Sequence, residues 1–350
     1  MSFTKQQVLN ALEEVLYFPK RDNIVNLKMV DDIIIDGNKI SFSISFHEPN
    51  DKSAAIIEQS CVDAIIKNLG EDVQIRGNIT LKTKSDDSLG EVKHIIAVAS
   101  GKGGVGKSTV AANLAVSLAR MGYKTGIMDA DIYGPSIPMM FGLQGEKPMA
   151  ENRNGRDMII PIEKYNLKIL SIGFFVDPSQ ALIWRGPMAS NALKQLLTDT
   201  AWDELDFLII DLPPGTGDIH LTLVQEFAVS GVAIVSTPQE VALADARKAI
   251  SMFNSDKINV PVLGLIENMA YFTPAELPSN KYYIFGKEGG QKLAQEAKLP
   301  LLGQIPLVQG ICESGDAGKP VTLIDDNNPE TQAFQMLAEN IVDRVESLSR

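Results

Sequence analysis

Apolar positions along this chain change period several times, and each change marks an element. From Thr4 to Tyr17, Val8, Leu9, Leu12, Val15 and Leu16 recur at helical spacing, with Thr4 placed to cap the start and Pro19 beyond the end. This predicts a first helix. Asn23 to Met29 and Ile33 to Phe46 have strand character, with alternation through Ile40, Phe42, Ile44 and Phe46 and a turn at Asp36-Gly37-Asn38. They should pair as a hairpin. Helical period returns from Ser53 to Leu69 through Ala55, Ile56, Cys61, Ile65 and Ile66, with Gly70 as a C-cap candidate before a strand over Val73 to Leu81. The order is α-β-β-α-β. Lys84 to Gly90 is polar and short of apolar anchors, so it reads as a boundary between a small domain over residues 1–84, a linker over 85–92 and a larger domain over 93–350.

From His94 onward strands and helices alternate, the pattern of a mostly parallel sheet covered by helices on both faces, an α/β architecture. Strand candidates are Ile95 to Ala99, Thr125 to Met128, Leu167 to Ile172, Phe207 to Ile210, Val232 to Ser236, Val262 to Ile266 and Leu301 to Ile305. Glu330 to Leu348 sets Phe334, Leu337, Ile341, Val342 and Val345 on one face with mixed charges opposite, which predicts a docked terminal helix. A helix lying on a membrane would carry a lysine- and arginine-rich polar face instead.

Composition narrows the class. The 350 residues are 45% hydrophobic and 22% charged, enough for a sizeable core, and the formal net charge is -12. That excess of negative charge opposes non-specific binding to nucleic acid or to an anionic membrane. The two cysteines, Cys61 and Cys312, exclude a disulfide framework. Met1 to Gln7 is too polar for a signal peptide and no apolar run approaches a membrane span, so the cytoplasm is the expected address.

The strand ending at Ala99 breaks into Ser100-Gly101-Lys102-Gly103-Gly104-Val105-Gly106-Lys107-Ser108-Thr109 and continues as a helix through Val110 to Ala115. Gly-x-x-x-x-Gly-Lys-Ser between a strand and a helix is a phosphate-binding P-loop, in which small residues let backbone N–H groups close around β- and γ-phosphates at a helix N-terminus. Lys107 should neutralise phosphate charge and Ser108 should hold Mg²⁺. Lys102 is a cation that most such loops lack; it is either solvated or aimed at a nucleotide.

Carboxylates recur at strand ends. Asp129 and Asp131 follow Ile127-Met128, where one can bond Mg²⁺-bound water and the other orient an attacking water, or both can cap a turn. Asp211 ends the apolar run Phe207 to Ile210 as the Walker B aspartate does and is the candidate for direct Mg²⁺ contact. It leads into Leu212-Pro213-Pro214-Gly215-Thr216-Gly217-Asp218, a stiff and then flexible segment suited to sense a γ-phosphate. Asn268, after Leu265-Ile266-Glu267, is a base-binding or a turn-capping carboxamide. Together these groups point to ATP hydrolysis.

With Lys102, the loop resembles the deviant P-loop of the MinD, ArsA and nitrogenase-iron-protein ATPases. That likeness implies a nucleotide-sandwich homodimer in which Lys102 reaches the partner's phosphates. Gly101 to Ser108, Asp129 to Ser136, Trp184-Arg185-Gly186-Pro187-Met188, Asp211 to Asp218 and Glu267-Asn268-Met269 together resemble the Mrp/ApbC family of iron–sulfur cluster carrier ATPases. The likeness covers nearly all of residues 93–350, and the first α-β-β-α-β unit resembles a domain of iron–sulfur assembly factors. The resemblance implies ATP and Mg²⁺ as cofactors and a homodimer holding a [4Fe-4S] cluster, which it passes to apoproteins with the help of assembly proteins.

One departure bears on the cargo. Where the family places a Cys-x-x-Cys pair after Glu-Asn-Met, this chain reads Ala270 to Asn280 without a cysteine, and Glu48 to Asp51 stands where relatives often have another. Cys61 falls on the apolar face of its helix and reads as packing. Cys312 is the one thiol of the larger domain: a cluster ligand supplied once by each copy, or a small buried residue. Two other functions stay open, a nucleotide-controlled adaptor without its own cluster and a partitioning ATPase of the MinD/ParA type. Acidic charge counts against the second.

Overall fold

The computed structural model describes residues 3–27, 29–46, 53–75, 77–83, 89, 92–153, 155–176, 186–255, 258–274, 276–277 and 279–348. Within Lys84 to Gly90 only Leu89 is described; Glu48 to Asp51 and Trp184-Arg185 also lie outside the described residues. Two compact units emerge, Met1–Asp87 and Ser88–Arg350.

In the first unit, α1 (Lys5–Leu12) opens with a capping box: the Gln7 N–H donates to the Thr4 hydroxyl at 3.3 Å, and the Thr4 N–H donates to Gln7 Oε1 at 2.9 Å. The helix stops short of the expected Tyr17. Pro19 disfavours helical backbone at the residue before it, and Leu16–Tyr17 (β1) instead pairs antiparallel with Asp22–Asn23 (β2). Nor is Asn23 to Met29 a strand. The Asn23 side-chain oxygen accepts from the N–H groups of Val25 and Asn26 at 3.1 and 2.8 Å, closing a turn that competes with sheet pairing.

The hairpin forms one step later, between β3 (Val30–Asp36) and β4 (Lys39–Phe46), around Gly37 at φ 62°. Next, α2 (Ala54–Leu69) ends at Gly70, and β5 (Ile79–Thr83) joins β4 in parallel. The β5 strand starts later than Val73, because the Asn78 N–H turns back to the Ile75 carbonyl and Gly77 adopts φ 75°. Val8, Leu12, Ile40, Ile44, Cys61 and Ile65 are buried in this unit's core.

The second unit begins with β6 (Val92–Ala99), α3 (Lys107–Arg120), β7 (Thr125–Asp129) and the single turn α4 (Ile137–Met140). A ribbon of β8 (Met149–Arg153) and β9 (Arg156–Ile160) precedes β10 (Ile162–Lys164) and β11 (Leu167–Ser171). Then come α5 (Gly186–Thr198), β12 (Leu205–Asp211), α6 (Asp218–Glu226), β13 (Gly231–Ser236), α7 (Glu240–Phe253) and β14 (Val262–Glu267). The chain closes with α8 (Gly289–Ala297), β15 (Leu301–Gln304), α9 (Gln309–Asp316) and α10 (Pro329–Leu348).

One eight-stranded sheet in the order β10-β11-β7-β12-β6-β13-β14-β15 organises the unit, parallel throughout except for β10. Every strand expected after His94 is present. The ribbon β8–β9 and the edge strand β10 are additions; all of β8 is exposed, so burial leaves no alternating pattern there to read. Since β7 and β14 lie on opposite sides of the β6–β13 pair, right-handed crossovers send α3 to one face and α7 to the other. The terminal helix α10 docks as expected, burying Phe334, Leu337, Ile341 and Val345, and Asn340 donates to the Leu302 carbonyl at 2.8 Å. No described helix is long and apolar enough to cross a membrane.

This topology brings the carboxyl ends of β6, β7, β12 and β14 together, where open α/β sheets bind ligands.

Candidate nucleotide site

The loop between β6 and α3 walls a cavity of about 230 Å³ lined by Lys102 to Thr109 together with Ser100, Asp131, Ser136, Met140 and Pro214. Gly104 and Gly106 have φ of 82° and 80°, a backbone state that turns N–H groups inward and favours glycine. Space is equally restrictive at Gly101, where a Cβ would lie 2.2 Å from the Asp245 carbonyl carbon, and at Gly106, where one would lie 2.3 Å from Asn268 Nδ2. A roomier cavity of about 700 Å³ opens at the opposite, amino ends of β7, β11 and β12. There Lys124 pairs with Glu204 and Lys168 with Asp203, while Lys164 donates to the Gly142 carbonyl at 3.2 Å, so each of its lysines is already engaged by the protein.

At the cradle's floor Lys107 Nζ lies 2.6 Å from Asp211 Oδ1 and 3.8 Å from Asp131 Oδ2, and donates to the Ser108 hydroxyl at 3.3 Å. Asp211 is fully buried, and its Oδ2 has no hydrogen-bond partner. Burial pushes the Asp211 carboxyl above the usual carboxylate range, and Lys107 opposes that rise. An orphaned buried oxygen beside a serine hydroxyl is an oxygen donor set of the kind Mg²⁺ takes, so these residues fit the ion. Asp131 Oδ1 accepts from the N–H groups of Tyr133 and Gly134, both at 3.3 Å, while the carboxylate lines the cradle.

Asp129, expected at the Mg²⁺ site or as a turn cap, is held by three protein donors: Oδ1 accepts from the Asp131 N–H at 3.1 Å, and Oδ2 accepts from the Ile137 N–H at 3.2 Å and the Ser171 hydroxyl at 3.0 Å. The group is fully buried and does not line the cradle. Burial, with Asp211's charge adding to it, pushes the Asp129 carboxyl up to about 7. Its geometry makes it a brace for the backbone after β7.

Asn268 also braces. Its Nδ2 donates to the Val105 carbonyl at 2.8 Å, and its N–H donates to the Ser236 carbonyl at 2.8 Å, tying β13, β14 and the loop. It also lines a second, apolar cavity of about 270 Å³ that shares Gly106, Thr109, Ser136 and Met140 with the cradle and continues past Pro306, Leu307 and Ile311 to Cys312.

Cys312 is exposed on α9, its Sγ 3.9 Å from Asp316 Oδ2, so the reading of a small buried residue fails. Cys61 is buried, and burial pushes its thiol up to about 12. Among the described residues no group of three or more His, Cys, Asp or Glu could hold a metal ion. In the cysteine-free segment after Met269, Phe272 pairs with Tyr282, and Lys281 Nζ sits 3.9 Å from the centre of the Tyr271 ring.

Met140 and His220 escaped the sequence reading, and Ser136 and Pro214 entered it only as members of motif segments. All four lie in or beside motif segments, but nothing in residue spacing shows that their side chains return to the cradle or its rim.

Residues 91–342 match the family described as NUBPL iron-transfer P-loop NTPase, and residues 5–76 match that of iron-sulfur cluster assembly proteins. The chain belongs to the iron-transfer P-loop NTPase family. The iron-sulfur cluster carrier protein of Synechocystis is 40% identical over 348 residues, 98% of each chain. A nucleotide-binding protein from Archaeoglobus fulgidus, solved in complex with ADP, superposes with a TM-score of 0.60 at 38% identity over 70% of this chain and 93% of that one. The cell division ATPase MinD of Pyrococcus furiosus shares the fold, with a TM-score of 0.53 at 23% identity over 72% of this chain and 99% of that one. Membership in the iron-transfer family agrees with the likeness that the motifs carried, and with the small domain ahead of the NTPase unit.

Proposed function

We propose that this protein is a nucleotide-switched iron–sulfur cluster carrier of the cytoplasm, binding and slowly hydrolysing ATP as a homodimer and passing clusters to apoproteins. The observation that carries the nucleotide part is the buried ammonium of Lys107 held between Asp211 and Asp131 at the mouth of a left-handed glycine loop. Lys107 turns from Asp211 to the entering phosphates, freeing the second carboxylate oxygen. Ser108 and Asp211 would hold Mg²⁺, which when bound would offset phosphate charge.

The Gly103 to Thr109 N–H groups orient the terminal phosphate, and Asp131 aligns a water for in-line attack. The new bond joins that water's oxygen to the γ-phosphorus while one of the water's protons passes to a γ-phosphate oxygen, and the bond to the bridging oxygen breaks, leaving ADP with the electron pair. The apolar cavity beside Asn268 takes the nucleoside. Lys102 reaches phosphates of the second copy, and Pro213 to Gly217 relaxes when the γ-phosphate is lost.

The cluster is cargo, and its thiol supply is short. A [4Fe-4S] cluster takes four thiolates, whereas Cys312, the exposed thiol, contributes two in a dimer. This shortage favours a second reading, an adaptor whose nucleotide state controls docking to assembly partners. Anaerobic reconstitution with iron and sulfide counting separates the two: cluster retained by the parent and lost from Cys312→Ser supports a carrier, and ATP-dependent partner capture without iron supports the adaptor. Calorimetry with Mg²⁺ and ADP tests the shared premise. Heat of binding in the parent that vanishes in Lys107→Ala is expected, and no heat in the parent overturns both readings.

A further inference from the structure

The apolar cavity beside the cradle is closed on one side by α9, and that wall carries a thiol. Ile311, Cys312, Gly315 and Asp316 recur at helical spacing and all four line the cavity, so one face of α9 forms the wall. Cys312 Sγ lies 3.9 Å from Asp316 Oδ2, one turn further along that face.

A second group in the lining, independent of the thiol, marks the cavity as a place for a ligand. The Asn268 side chain is 6% exposed and its Nδ2 is committed to the Val105 carbonyl, yet among the described residues nothing donates to its Oδ1. A buried carbonyl oxygen left open at a cavity wall is satisfied when an occupant brings an N–H or O–H to it. Gly106 and Thr109 belong to this cavity and to the cradle, so a molecule with its phosphates in the cradle extends its other end here. Room is short. At about 270 Å³ the cavity falls just below the roughly 300–1,000 Å³ of ligand pockets, so it cannot hold a nucleoside and an adduct on Cys312 together.

We propose that Cys312 is a modification site that gates the nucleotide: a mixed disulfide on its sulfur closes the cavity to the nucleoside, and a bound nucleoside shields the sulfur. This rests on the nucleotide reading above and adds control of that site by thiol chemistry. The Cys312 sulfur, its proton lost to solvent, attacks one sulfur of a small-molecule disulfide. A new S–S bond forms as the old one breaks, and the departing thiolate keeps the electron pair and takes up a proton. Cys312 is exposed and Cys61 is buried, so one site per chain reacts.

Labelling kinetics of the parent chain test the shielding without any variant. Iodoacetamide alkylation is followed by mass spectrometry on the nucleotide-free protein, with Mg·ADP, and with Mg-pyrophosphate, which offers phosphates to the cradle and no nucleoside. With Mg·ADP at about 100 times its Kd, roughly one site in a hundred stays empty, and Cys312 labelling should slow by about that factor. Pyrophosphate should leave the rate unchanged. Unslowed labelling under ADP that calorimetry shows to be bound, or equal protection by pyrophosphate, overturns the gate.

The converse arm treats the parent with glutathione disulfide, counts the adduct by mass and titrates with Mg·ADP. Binding should weaken by at least about tenfold and return with dithiothreitol. Cys312→Ser should bind alike before and after the same treatment. Undiminished binding by the adduct, or a loss that Cys312→Ser shares, overturns the gate while leaving the nucleotide site standing. A parent chain that gives no heat with Mg·ADP overturns the site itself, and the gate with it.

Discussion

Lys107 Nζ stands 2.6 Å from Asp211 Oδ1, a contact in which the ammonium and carboxylate are almost wholly withdrawn from water. The pair is destabilising to break from one side, because the remaining charge is stranded in a low dielectric. Lys107→Ala should therefore abolish ATP turnover and also lower the unfolding free energy of the nucleotide-free protein by about 3 kcal/mol. Adding Asp211→Asn should restore much of the stability and none of the turnover. Urea unfolding beside a phosphate-release assay checks both; a single variant as stable as the parent removes the ion pair from the account.

Asn268 and Gly106 form a second test, because only a glycine at 106 leaves room for the Asn268 amide. Removing the Nδ2 bond to the Val105 carbonyl in Asn268→Ala should cost about 1 kcal/mol of Mg·ADP affinity, or roughly fivefold. Gly106→Ala should cost more, since φ 80° strains any side chain in addition to the clash. In the Asn268→Ala background the clash goes and the strain stays, so the double variant should bind better than the two losses summed. Calorimetric titration of all four proteins decides it.

Stability should also carry a trace of Asp129. Its folded pKa of about 7 lies above that of an unfolded aspartate, so the native state keeps the proton longer than the unfolded chain. Asp129's contribution is intact below about pH 4, is lost as pH rises to about 7, and is constant above that, with a slope no steeper than about 1.4 kcal/mol per pH unit. Asp129→Asn removes the titration. It leaves either the Asp131 or the Ile137 N–H short of an acceptor at every pH, so the variant's stability relative to the parent should improve between pH 4 and 7 by its slope, whatever the offset. Parallel curves across that range would count against the assignment.

The two thiols should separate cleanly. Cys312 is exposed, whereas Cys61 is buried with its thiol held at about 12. Alkylation of the native protein at neutral pH should label one thiol per chain, and denaturation should expose the second. Cys312→Ser should label only after unfolding. Mass spectrometry counts the adducts directly.

Much of this fold was legible because buried parallel strands are apolar on both faces, as in Ile95 to Ala99 and Phe207 to Ile210. The strand β8 escaped because all of its side chains are exposed, which leaves its partner β9 without a readable mate. Asn23 escaped because its local turn bonds outcompeted a stretch of strand-like composition. In the site, spacing marked Asp129, Asp131 and Asp211 alike as strand-end carboxylates. What parts Asp129 from the other two is Ser171 and Ile137, donors from β11 and the start of α4 that no local pattern connects to it. His220 was equally invisible, since its partners are main-chain carbonyls and any residue type offers those.

The outermost strand on one side, β15, is four residues long, and its Leu302 carbonyl already accepts from Asn340 of α10. At the far border, β10 is three residues long and reversed in direction. Borders this brief and partly occupied give incoming backbone little to pair with. The borders of this sheet should therefore not seed ribbon-like aggregation in concentrated solutions of the protein.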